Sequence, residues 1–150
     1  MPTIATQHFG TLEYRAEDVI EFPRGLPGFE NSKAFLPLEI EEHRPLMFLQ
    51  ALEDAGPCFM VLPAQALEPG YRLELSESDM RTLGSKRRPR IGGEVMCLAV
   101  VTADESGVSA NLLAPLVVNL ANRRGVQAIQ AGSGYSHRQR LAAVETPVCC

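Results

Sequence analysis

The sequence predicts a single, mainly β domain: an antiparallel sandwich or barrel with one or two short helices. About eight to ten short apolar segments run along the chain, each too short for a typical helix. Turn signals built on Gly, Pro, Asn and Asp recur roughly every ten residues, the spacing of sandwiches and barrels. Long helical patterns alternating with strands, as a doubly wound sheet requires, are absent. A length of 150 residues fits one domain. A chain of that size buries about two thirds of its unfolded surface without staples.

In order along the chain, Thr3, Ile4, Thr6 and Phe9 favour strands, with a turn through Gly10, and Leu12 and Tyr14 alternate with polar neighbours. Val19-Ile20-Glu21-Phe22 is a further short strand. The densest punctuation follows, in Phe22-Pro23-Arg24-Gly25-Leu26-Pro27-Gly28-Phe29-Glu30. Leu26-Pro27-Gly28-Phe29 suits a type II turn, because proline sets φ at the second position and glycine takes positive φ at the third. Phe22, Leu26 and Phe29 are expected to enter the core and make this loop rigid. Phe35-Leu36-Pro37-Leu38-Glu39-Ile40 reads as a strand whose proline points to an edge or bulge. Leu46-Met47-Phe48-Leu49-Gln50-Ala51-Leu52 and Phe59-Met60-Val61-Leu62 are apolar on both faces and predict buried strands, the second stopped by Pro63. Ser76 to Gly84 is the clearest helix: Ser76 caps it, Asp79 completes a capping box, and Gly84 closes it. Val95-Met96-Cys97-Leu98-Ala99-Val100-Val101 predicts a central strand, and Asp104-Glu105-Ser106-Gly107 a hairpin into Val108 to Leu113. Pro115 is expected to break the ladder before Leu116-Val117-Val118-Asn119-Leu120. Asn122-Arg123-Arg124-Gly125 turns into Val126-Gln127-Ala128-Ile129. The apolar rhythm fades after residue 130, so residues 1–130 are expected to form the domain and 131–150 a flexible tail, with Tyr135 as its one anchor.

Little in the chain suggests catalysis. His8, His43 and His137 are isolated, without a second ligand at zinc spacing. There is no nucleophile elbow, P-loop or dinucleotide fingerprint, and Gly92-Gly93 reads as a turn. The adjacent acids Glu53-Asp54 and Asp104-Glu105 lie in turns that face water, whereas general acid–base work needs a desolvated carboxyl group. Cys58 and Cys97 sit in apolar surroundings and read as buried thiols, and Cys149-Cys150 forms no metal or redox motif. No enzyme activity, cofactor or metal is expected. The first residues lack the blocks of a signal peptide, and no apolar run reaches membrane-spanning length, so a cytoplasmic chain without membrane contact is expected. A formal net charge of -4 gives no global pull toward nucleic acid and suits a basic partner. The exception is Lys86-Arg87-Arg88-Pro89-Arg90, read as a solvated loop. The alternative is a phosphate-contacting patch, although no aromatic side chains are interleaved to stack bases.

Four segments, taken together, resemble one known family. Phe22-Pro23-Arg24-Gly25-Leu26-Pro27-Gly28-Phe29-Glu30 looks like the FP-x-GLPGFE segment of the FliW family. Phe48 to Asp54 is similar to its LQS-x-ED stretch, Asn111 to Asn119 to its NLLAPIVIN segment, and Asn122 to Ala128 to its N-x-K/R-x-G-x-Q segment. They occur in the family's order and cover roughly residues 3–130. Leu62-Pro63 stands where members often carry Asp-Pro. The resemblance implies a compact antiparallel β-barrel-like fold and a cytoplasmic, non-catalytic role in flagellum biogenesis. Implied partners are the translational regulator CsrA, whose repression of flagellin mRNA such proteins antagonise, and flagellin, which competes for the same factor. The alternative is a flagellin-specific chaperone without a role in translation. Candidate partner contacts are Pro23, Arg24, Gly25, Leu26, Pro27 and Gly28 of the first segment, Glu53 and Asp54 of the second, and Asn111 and Asn119, which bracket the third.

Overall fold

The computed structural model describes residues 1–53 and 56–141. Among these, ten strands and two short helices follow in the order β1 (Thr3–Ala5), β2 (Thr11–Glu13), β3 (Ile20–Glu21), β4 (Ala34–Glu39), β5 (Met47–Ala51), β6 (Cys58–Pro63), α1 (Ala64–Leu67), α2 (Glu77–Leu83), β7 (Val95–Asp104), β8 (Gly107–Asn119), β9 (Arg124–Gln127) and β10 (Gln139–Arg140). Strands β1 and β2 form a separate hairpin. The others form one sheet in the order β10-β8-β7-β6-β5-β4-β3-β9, and β9 also pairs with β8. That last pairing closes β3 to β9 into a seven-stranded barrel, with β10 added outside on β8. Neighbours are antiparallel except β3 and β9, which run parallel.

Closure explains why several strands are apolar on both faces. Phe35, Leu49, Ala51, Val61, Leu98, Leu116 and Val118, with Ile20, Phe22 and Leu26, form one buried cluster. Side-chain alternation places it inside the barrel. The intervening positions, among them Phe48, Met60, Leu62, Cys97, Ala99, Val117 and Val126, form a second cluster on the outer face. Ala64, Tyr71 and Leu83 cover that face from the segment around α1 and α2, with Phe9, Tyr135 and Leu141 packed beside them.

Local rules hold where they act alone. Ser76 Oγ accepts from the Asp79 N–H at 3.0 Å, Asp79 Oδ2 accepts back from the Ser76 N–H at 3.4 Å, and Gly84 ends α2 with φ of +72°. Pro37 sits in β4 beyond the reach of β3, which pairs only as far as Phe35, so its missing N–H leaves no ladder bond unmade. At Pro115 the chain stays extended as part of β8, but the β7–β8 register jumps from Leu98–Leu116 to Val100–Asn111. The Pro115 carbonyl accepts from the Ala128 N–H at 2.9 Å instead.

Three expectations need correction. Cys58 is only half-buried, whereas Cys97 is buried as expected. Phe29 does not enter the core: it is 43% exposed, with its ring edge-on to Phe59 at 5.2 Å. The segment from 131 to 141 is tied to the body of the protein. Tyr135 anchors it as expected, stacked on Tyr71 at 4.4 Å, but β10 also pairs with β8 at Gln139–Ala110 and Arg140–Ser109. Asp54, Ala55 and residues 142–150, including Cys149-Cys150, lie outside the described residues.

Burial in the outer cluster predicts an alkaline weakness. It pushes the Cys97 thiol from its ordinary 9.0 up to about 12. Burial also raises the Tyr71 phenol, with further contributions from Cys97 and Tyr135. Below pH 9 both groups are protonated whether folded or unfolded. Above it the unfolded chain loses protons first, so stability falls as pH rises toward 12. Cys97 alone contributes a slope of up to about 1.4 kcal/mol per pH unit. Urea midpoints should decline from pH 9 to 11, and less steeply in Cys97→Ala. Equal midpoints across that range would show that the thiol titrates normally.

Candidate protein-binding face

The loop between β3 and β4 is folded back on itself by two turns. The Gly25 N–H donates to the Phe22 carbonyl at 2.8 Å, and the Phe29 N–H to the Leu26 carbonyl at 2.8 Å. Gly25 and Gly28 take φ of +69° and +83°, as the turns require. Phe22 and Leu26 anchor the loop inside the barrel, while Pro27 and Gly28 are exposed at its crest. Arg24 ties the loop to α2. Its Nη2 lies 2.6 Å from Asp79 Oδ1, the same carboxylate that completes the capping box, and its Nη1 donates to Ser78 Oγ at 3.4 Å. Asp79 therefore serves the helix and the loop together.

The loop stands as a ridge between two clefts, and Leu26, Pro27 and Gln127 line both. One cleft, of about 350 Å³, is at the mouth of the barrel. Phe59, Val100 and Leu116 contribute apolar walls, and Thr102, Asp104, Ser109, Asn111, His137 and Arg138 a polar rim. The Asp104 carboxyl is held below the usual range by hydrogen bonds from the Ser106 side chain and backbone, helped by Arg138 and Arg140. The other cleft, of about 340 Å³, runs past Arg24 and Glu30 to Ile129, which is 69% exposed. Phe29 and Ile129 thus leave apolar surface open close to the loop.

The candidate residues separate into two groups. Pro23, Arg24, Gly25, Leu26, Pro27 and Gly28 build the ridge. Glu53 joins them through Ser32, whose hydroxyl donates to Glu53 Oε1 just beyond the end of the loop. The acidic turn is braced from below, where the Gly56 N–H donates to the Glu53 carbonyl at 2.9 Å and Gln50 Nε2 donates to the Gly56 carbonyl at 3.3 Å. Asp54 itself is outside the described residues.

Asn111 and Asn119 are occupied in holding the fold. Asn111 Oδ1 accepts from the N–H groups of Leu113 and Ala114, at 3.1 and 3.0 Å, and so stabilises the bulge before Pro115. Asn111 still lines the mouth cleft. Asn119 is buried. Its Nδ2 donates to the Leu83 carbonyl at 2.8 Å, and its Oδ1 accepts from the Ala121 N–H at 3.0 Å. Sequence reasoning missed the parts played by Asp79, His137 and Arg138. The capping box made Asp79 visible, but nothing local connects it to Arg24, 55 positions away.

No helix among the described residues is long and apolar enough to cross a membrane. The FliW protein family model matches residues 3–141. The chain is 33% identical over 130 residues to the flagellar assembly factor FliW of Clostridium tetani, an alignment covering 87% of this chain and 88% of that one. With the protein of the same name from Desulfitobacterium hafniense strain Y51 the identity is 35% over 149 residues, 96% of each. The crystal structure of the flagellar assembly factor FliW superimposes with a TM-score of 0.82 at 27% identity, covering 97% of this chain and all of that one. Motif order, closed barrel and alignment through β10 agree, and the chain belongs to the FliW family.

Proposed function

We propose that this protein is a flagellar assembly factor that binds the translational regulator CsrA, relieves its repression of flagellin mRNA, and exchanges CsrA for flagellin as unsecreted flagellin accumulates. The observation that carries this reading is the loop ridge. It is rigid, partly apolar, flanked by two clefts and joined to the acidic turn at Glu53, features suited to gripping a protein. A rigid surface loses little conformational entropy on binding. A net charge of -4 steers the protein toward a basic RNA binder, and acidic groups held beside an RNA site repel phosphate.

The test is calorimetric titration of this protein into CsrA from the same organism, with and without flagellin. Tight binding that flagellin abolishes supports the exchange. Heat with flagellin and none with CsrA would leave a flagellin chaperone without a translational role. Glu53→Gln with Asp54→Asn should weaken CsrA binding about tenfold, since exposed charges contribute up to about 1 kcal/mol each. The thermal midpoint should stay unchanged. Undiminished affinity would remove this turn from the interface.

A further inference from the structure

A broader cleft, of about 700 Å³, lies between the stretch from 84 to 94 and the turn at 119 to 121. Lys86, Arg87 and Arg88 line one side of it and are exposed. Arg88 pairs with Glu74 at 3.0 Å, and Arg90 pairs with Glu94 at 3.9 Å. Lys86 and Arg87 have no ion pair among the described residues.

The internal task open to these two cations would be to neutralise the negative end of α2. That end is already served. The Leu83 carbonyl accepts from Asn119 Nδ2 at 2.8 Å and from Asn122 Nδ2 at 2.9 Å, and the Ser85 N–H donates to the Met80 carbonyl at 2.9 Å. Lys86 and Arg87 therefore face solvent as a local positive site on a protein of net charge -4. Leu120, 41% exposed, stands on the opposite side as an apolar contact. No aromatic side chain lines the cleft, so it offers no platform for stacked bases.

We propose that this cleft docks an acidic segment of a partner protein, with carboxylates on Lys86 and Arg87 and an apolar side chain against Leu120. Its lining shares no residue with the clefts beside the loop ridge. A segment held here leaves that ridge free, so this surface stands apart from the one assigned to CsrA exchange.

The experiment is amide NMR on the labelled full-length chain, titrated with a short glutamate-rich peptide bearing central leucines, and separately with a single-stranded RNA oligomer. The peptide should shift the amides from 84 to 94 and from 119 to 121 saturably, and binding should weaken as ionic strength rises from about 0.05 to 0.3 M. Lys86→Glu with Arg87→Glu should lose about tenfold in affinity without a change in thermal midpoint. Lys86→Ala with Arg87→Ala should lose less, and Leu120→Ser should weaken the peptide at unchanged salt dependence. The proposal is overturned if no saturable shift occurs, if the shifts map elsewhere, if charge reversal leaves affinity unchanged, or if the RNA oligomer binds these amides more tightly than the peptide.

Discussion

Gly125→Ala should lower the stability of this protein by about 2 kcal/mol, the scale of overpacking in a rigid core. Gly125 is buried in β9, and no unusual φ demands glycine there. The demand comes from space: a Cβ would lie 2.5 Å from Phe22 Cε1 and 2.9 Å from two further ring carbons. The ring cannot retreat, because Phe22 is fully buried and packs edge-on against Phe35 at 5.6 Å. The clash falls where β3 meets β9, so relief must come from loosening the barrel's closure. Chemical denaturation should show a lower midpoint with an unchanged slope. Phe22→Leu in the same chain should recover part of the loss, since the two sites touch and their effects are not additive. A change in stability below about 0.5 kcal/mol, the size of an ordinary surface substitution, would show that the ring has room to move.

Gly25→Ala should be at least as damaging, and Gly28→Ala is its control. Both glycines have positive φ, which costs alanine roughly 1 kcal/mol. At Gly28 a Cβ meets nothing within 4 Å, so that strain is the whole effect. At Gly25 it would lie 2.7 Å from the Glu30 carbonyl oxygen and 2.8 Å from Glu30 Cα, both backbone atoms. The loop would have to open, for a total of about 2–3 kcal/mol. On the proposed function, CsrA affinity should also fall in Gly25→Ala beyond the loss explained by unfolding, because Arg24 is displaced from Asp79. Equal stability for the two variants would mean that the contact with Glu30 does not hold the ridge.

What could be read in the amino acids was what neighbours decide. The capping box at Ser76 and Asp79, the turn from Leu26 to Phe29, and the short apolar strands all rest on contacts within a few positions. The rest depended on residues far apart in the chain. Gly125 looked like part of a turn, and only the Phe22 ring shows why it is glycine. Phe29 has the composition of a core residue, but the turn at Gly28 aims it at Phe59 near the surface. Asn119 looked like a candidate contact within a family segment, whereas its partner is a helix carbonyl 36 positions earlier. Of the loop and the acidic turn, the sequence marked both, but not the Ser32 hydroxyl that joins them.

Barrel closure also sets the order in which the protein can be completed. The Glu21 N–H donates to the Arg123 carbonyl at 2.9 Å, and Arg123 Nη2 donates to the Asp18 carbonyl at 2.7 Å across a separation of 105 positions. Contacts of that span are slow to find, because the intervening chain must give up its freedom before they form. During synthesis the ridge is made early, yet β9, whose Gly125 packs against Phe22, is made only after β8. A chain cut before β9 therefore carries the loop without the strand against which Phe22 packs.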